Sequence, residues 1–158
     1  MPRYFPIDAG VTFDCAQSDI LAISWRADRI SADFILPGIE EHALRICFNA
    51  PTIVRLLDEM PLSTEGGTKN EGLVPRHFAY RVEGSTFADT QSDAWKLVFH
   101  PICHYEFITG SGCMDVLCKA EPSFKVIDIN TQQGPHVAVT EAELLTVRLG
   151  PMGSFGPR

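Results

Sequence analysis

Residues 30–36 read Ile30-Ser31-Ala32-Asp33-Phe34-Ile35-Leu36, and this stretch decides the fold. Ile30, Ala32, Phe34 and Leu36 recur at every second position, the spacing that puts side chains on one face of a strand; a helix would need spacings of three and four. Upstream, residues 20–26 set Leu21, Ile23 and Trp25 on one face, and Ala27-Asp28 supplies turn chemistry, so the two runs predict a β-hairpin. Pro37-Gly38 closes the second strand, because proline brings no ladder donor and glycine relieves the turn.

The same alternation continues outward. Leu44, Ile46 and Phe48 share one side of the run His42–Asn49, opposite Arg45 and Cys47. Residues 51–60 permit a short helix through the leading Pro51 and Leu56-Leu57, but the β-branched pair Ile53-Val54 favours a strand. Residues 61–75 hold three glycines and two prolines and read as a long loop, mobile or functional. Beyond it, Phe78, Tyr80 and Val82 alternate, and so do Trp95, Leu97 and Phe99, then Cys103, Tyr105 and Phe107. Residues 113–119 and 124–129 are further strand candidates.

A three-residue loop, His100-Pro101-Ile102, would make Trp95–Phe99 and Cys103–Thr109 hairpin partners. Trp95 would then oppose Phe107 and Lys96 would oppose Glu106. Thr109-Gly110-Ser111-Gly112 lies between strands and reads as a turn rather than a phosphate cradle. Thr140-Glu141-Ala142-Glu143 matches a capping box, which predicts a two-turn helix from Glu141 to Arg148. The aromatic residues, Trp25 and Trp95 included, fall on strand interiors as core material. The expectation is a single β-rich domain over residues 1–150 followed by a disordered tail over 151–158. Its class is mainly β, an antiparallel sandwich or partly open barrel of roughly seven to ten strands with one short C-terminal helix.

Composition narrows the function classes. Apolar types make up 45% of 158 residues and charged types 21%, which suits a globular chain and excludes a disordered one. A net charge of −7 repels phosphate backbones, and the basic residues are scattered singly, so nucleic acid is not expected as a partner. No apolar run approaches the ~18 residues of a membrane span. Residues 1–10 lack a hydrophobic signal core, and the five cysteines include no C-x-x-C pair, which together point to a reduced, cytoplasmic protein.

Metal chemistry has one candidate. His100-Pro101-Ile102-Cys103-His104-Tyr105-Glu106 offers imidazole, thiol and carboxylate donors within seven residues, a mixture that could suit zinc. On a strand His104 and Glu106 share a face while Cys103 points into the core, and His100 sits in the turn. A full site centred on His100, His104 and Glu106 would need a fourth ligand, such as His77 or Asp58. The competing reading is a satisfied surface histidine and glutamate with no cofactor. Asp58-Glu59 point to opposite faces of a strand and form no dyad, and Glu40-Glu41 are turn chemistry. No G-x-S-x-G elbow, Walker loop, H-E-x-x-H or G-x-G-x-x-G motif occurs.

The stretch His104-Tyr105-Glu106-Phe107-Ile108-Thr109, with Asp115-Val116-Leu117, Glu121-Pro122 and the earlier Leu57-Asp58-Glu59, resembles small uncharacterised bacterial β-rich proteins, some of the toxin-immunity kind. That resemblance implies an acidic, compact, non-catalytic protein and transfers no functional residue. The leading functional expectation is therefore a non-enzymatic interaction protein that binds another protein, or itself, through an exposed sheet face or edge. The alternative is a metal-assisted hydrolase or small-ligand binder built at His100, His104 and Glu106, with residues 61–75 as a lid.

Overall fold

A computed structural model of the chain describes residues 1–49, 52–58 and 70–130. Within them the chain is mainly β, built from two antiparallel sheets packed face to face and not closed into a barrel. The first sheet has five strands in the order β1 (Arg3–Pro6), β6 (Ala79–Glu83), β7 (Cys103–Ile108), β8 (Gly112–Cys118) and β5 (Thr52–Asp58). The second has four, in the order β2 (Ile20–Trp25), β3 (Arg29–Ile35), β4 (His42–Asn49) and β9 (Ser123–Asp128). Residues 52–58 are thus strand, as the β-branched pair Ile53-Val54 favours.

The core is the layer between the sheets. Ala32, Phe34, Leu44, Ile46 and Phe48 come from the second sheet, with Leu36 just past the end of β3, and Ala79, Tyr105, Phe107, Met114, Val116 and Cys118 from the first. Phe107 sits at its centre, with ring centroids 6.0 Å from Phe34, 5.8 Å from Phe48 and 5.6 Å from Phe78. These contacts explain why the period-two runs at 30–36, 42–49 and 103–107 specify the fold: a slip of one residue would turn every one of them outward.

The β2–β3 hairpin forms, but its face assignment differs from the alternation. Ile20 pairs with Phe34 and Ala22 with Asp33, so Leu21 is the extra residue of a bulge. Ile20 and Ile23 consequently pack against the core, and Leu21 is 45% exposed. Trp25, opposite Ile30 at the end of this edge strand, is 65% exposed and is not core material.

The larger correction concerns residues 95–99, which are helical. After β6, Gly84 takes φ +66°, a left-handed conformation that glycine adopts without strain, and turns the chain back across the first sheet. Two short helices follow, α1 (Thr86–Asp89) and α2 (Asp93–Phe99). Each starts on a serine cap: Ser85 Oγ accepts from Ala88 N and Ser92 Oγ from Trp95 N. Trp95 and Phe99 meet at 5.3 Å between ring centroids as an i, i+4 pair, which a strand could not provide. Lys96 donates from Nζ to Asp89 O and has no register with Glu106. The strand that flanks β7 is β6, with Tyr80 opposite Glu106.

The four residues 109–112 form the β7–β8 turn, closed by Thr109 N on Gly112 O at 2.9 Å. Gly110 is required there, because an added Cβ would run into the Ala16 carbonyl. The expected helix Glu141–Arg148, the tail 151–158 and most of the loop 61–75 lie outside the described residues.

Candidate functional site

The outward face of the first sheet carries the only His, Cys, Asp and Glu group of metal-ligating composition among the described residues. It arises from register. Tyr80, Glu106, Asp115 and Arg55 stand opposite one another in turn across β6, β7, β8 and β5, one polar rung through the sheet. His104 lies two residues from Glu106 and therefore on the same face, opposite Leu117.

This face is not solvated. Gly84 and Ser85 lead α1 over it, and Phe87 lies edge-on to His104 at 5.6 Å between ring centroids, with the Arg55 guanidinium 4.2 Å from the Phe87 centroid. Tyr80 Oη donates to Val74 O at 2.8 Å and accepts from Val74 N at 3.1 Å, tying Val74 to this sheet. His104, Glu106 and Asp115 retain only 4%, 6% and 1% of their exposure. The placing of His104 and Glu106 at the surface is thereby overturned, because it took the second face of the sheet to be open to water.

The buried charges satisfy one another in part. Asp115 Oδ2 accepts from Arg55 Nε at 2.8 Å, and Asp115 Oδ1 lies 2.9 Å from His104 Nε2. Tyr4, from β1, hydrogen-bonds Glu106, and its phenol is pushed well above its ordinary range by burial and then by the Glu106 carboxylate. Because Thr109 and Gly112 close the hairpin as a hydrogen-bonded pair, alternation makes Glu106 and Asp115 a non-hydrogen-bonded pair. Their Cα atoms therefore approach to about 4.5 Å. Two carboxylates are brought together where water is excluded. His104 Nδ1 is buried and has no hydrogen-bond partner.

Of the residues expected to form a site, His104 and Glu106 come together and His100 does not. His100 caps the C-terminus of α2, exposed, and the third member is Asp115. Cys103 points to the opposite face and packs against the core, as strand alternation requires. Neither proposed fourth ligand belongs to the group: Asp58 ends β5, exposed, and His77 stacks edge-on with Tyr80 at 5.0 Å. Asp115 was missed because it sits in the apolar run 113–119. Its signal was that very placement, since a carboxylate amid buried residues of a central strand needs a partner.

A second feature is a cleft of about 400 Å³ between residues 7–14 and 74–79. Ile7, Val11, Phe13 and Phe78 line its floor, with Asp8, Asp14 and Arg76 among the polar residues around it. Arg76 and Asp14 approach to 3.4 Å at one side. Val74 and Pro75, from the stretch expected as a lid, form part of its wall.

Compared with family models, curated proteins and solved structures, the chain matches none. No helix among the described residues is long and apolar enough to cross a membrane.

Proposed function

We propose that this chain is a non-enzymatic binding protein that pairs the outer edge of β5, which no other described strand covers, with an extended segment of a basic partner protein. The carrying observation is the edge itself. β5 runs seven residues in unbroken register with β8, carries no proline and no bulge, and has no strand on its far side among the described residues. The other edges are guarded by devices that discourage pairing. β1 is four residues long and ends in Pro6, β2 is bulged, and β9 follows Pro122 and bears Lys125.

Ladder alternation shows what β5 offers. β8 turns Gly112, Met114, Val116 and Cys118 toward β7, so it meets β5 through Ile53, Arg55 and Leu57. The N–H and C=O groups of Val54 and Leu56 then face outward, and Leu56 is 52% exposed. A net charge of −7 on each copy disfavours self-pairing and favours a partner of opposite sign. An acidic module of this kind is also what the likeness to immunity proteins implies. Free thiols at all five cysteines accord with a cytoplasmic setting.

The test is selection from a displayed library of basic ten-residue peptides, followed by amide hydrogen exchange on the complexes. The expected result is enrichment, with new protection at Val54 and Leu56. The variant Leu56→Pro removes one outward donor and leaves the β8 ladder intact, and it should weaken binding at least tenfold. Protection confined to another surface, or a concentration-dependent homodimer through β5, would overturn the proposal.

A further inference from the structure

Cys103 and Cys118 stand directly opposite each other across the β7–β8 ladder, both on its core face. They are the first residue of β7 and the last of β8, and so form the final rung of a hairpin whose other end is the turn at 109–112. Tyr105 lies on the same face, two residues from Cys103. Its phenol is raised by burial first, then by Cys103, to which it also hydrogen-bonds, and then by Cys118. The two thiols therefore border a single ring. In the structure both are free.

We propose that Cys103 and Cys118 are the site of a reversible disulfide, formed by exchange with a small-molecule disulfide such as oxidised glutathione. Counting from the hydrogen-bonded pair Thr109–Gly112, alternation makes 103–118 a hydrogen-bonded pair with Cα atoms about 5.5 Å apart. That lies inside the roughly 4.4–6.8 Å that a disulfide spans. Opposed Cβ atoms sit about 4.5–5.5 Å apart against roughly 3.5–4.5 Å in the cross-link, so the rung must draw in by about 1 Å. The chain beyond it can take up that movement, because no ladder position of β7 or β8 follows. Strain that remains makes the bond easier to reduce, as a reversible clasp requires. No other two cysteines are so placed. Cys113 stands opposite Ile108 and Leu57, Cys47 opposite Ser31 and Ser123, and Cys15 lies in the turn before β2.

Accessibility sets the order of events. Cys103 is half-buried and meets the reagent first, whereas Cys118 is 2% exposed and donates from Sγ to Ala120 O at 3.0 Å. The Cys103 thiolate attacks one sulfur of the small disulfide, whose S–S bond breaks and releases one thiolate. The Cys118 thiol gives its proton to water, and its sulfur then attacks Cys103 Sγ, displacing the second small thiolate. Two protein thiols lose two electrons while one disulfide is reduced to two thiols. Burial keeps the Cys118 thiolate scarce, so the second step is the slow one. The product closes the open end of the β7–β8 hairpin, at the rung where Thr52 of β5 also pairs with Cys118. It does not depend on a partner at the outer edge of β5.

The experiment incubates the reduced full chain at pH 8 with a series of reduced-to-oxidised glutathione ratios, its fold followed by near-ultraviolet circular dichroism. Samples are then unfolded in N-ethylmaleimide and read by intact mass and peptide mapping. Oxidation should lower the number of alkyl groups from five to three, with a linked peptide joining Cys103 to Cys118 and full reversal by dithiothreitol. Cys118→Ser should stop at a glutathione adduct on Cys103, and Cys103→Ser should leave Cys118 unmodified. Five alkyl groups at every ratio, a link between any other two cysteines, or a Cys103–Cys118 link that forms only in urea would each overturn the proposal.

Discussion

Arg55 stands directly opposite Asp115 across the β5–β8 ladder and donates to it from Nε at 2.8 Å, although Asp115 is buried to 1% exposure. The edge strand thus supplies the charge that makes a carboxylate tolerable in the centre of the sheet. Removing it strands that carboxylate. Arg55→Ala is expected to cost about 3 kcal/mol, the lower end for breaking a buried pair because Arg55 keeps 27% side-chain exposure. Arg45→Ala breaks a more exposed pair with Asp33 and should cost about 1 kcal/mol. Urea denaturation of both variants makes the comparison.

The bulge in β2 separates two neighbours that strict alternation would place together. Leu21→Lys should change stability by less than about 0.5 kcal/mol, as for any exposed position. Ile23→Lys places an ammonium beside the core and should cost at least about 2 kcal/mol. Equal effects of the two changes on thermal unfolding would contradict the bulge.

The helix at Asp93–Phe99 has its own test. Ser92→Ala removes the cap on Trp95 N and should cost about 1 kcal/mol. Lys96→Glu should be nearly silent, within about 0.5 kcal/mol, because Lys96 contacts Asp89 O rather than Glu106. In a strand opposite Glu106 the same change would set like charges face to face. Guanidinium melts of the two variants separate the alternatives.

Stability should fall in alkali. Burial, and then the neighbouring Cys103, push the Cys118 thiol up to about 12 from an ordinary 9.0. Burial likewise raises the Tyr4 and Tyr105 phenols. The folded state then holds protons that the unfolded chain gives up, so the unfolded state binds fewer and the unfolding free energy decreases with rising pH. The Cys118 contribution is complete below pH 9 and is lost as pH climbs towards 12. Chemical denaturation from pH 8 to 11 should show the decline, and iodoacetamide at pH 8 should spare Cys118 in the folded protein.

Particular residues show how much of this was legible in the sequence. Ile30 through Leu36 and His42 through Asn49 alternate without interruption, and both strands lie where that period places them, because each buries a single face. Trp95, Leu97 and Phe99 alternate equally well yet sit on a helix. Over so few residues, periods of two and 3.6 are not separated by apolar positions alone, and the deciding signal was the cap serines Ser85 and Ser92. For the site, the shared face of His104 and Glu106 followed from strand geometry. Their burial and the arrival of Asp115 did not, since both depend on α1 folding over the sheet and on β8 pairing with β7 in a given register.

The most direct measurement of the central claim is residue-resolved amide exchange along β5 in the free protein. Val54 and Leu56 should exchange fast while Ile53, Arg55 and Leu57, whose donors face β8, exchange slowly, giving an alternating pattern on one strand. Uniform protection of all five amides would mean that the outward side of β5 is already paired, and would contradict an edge open to a partner.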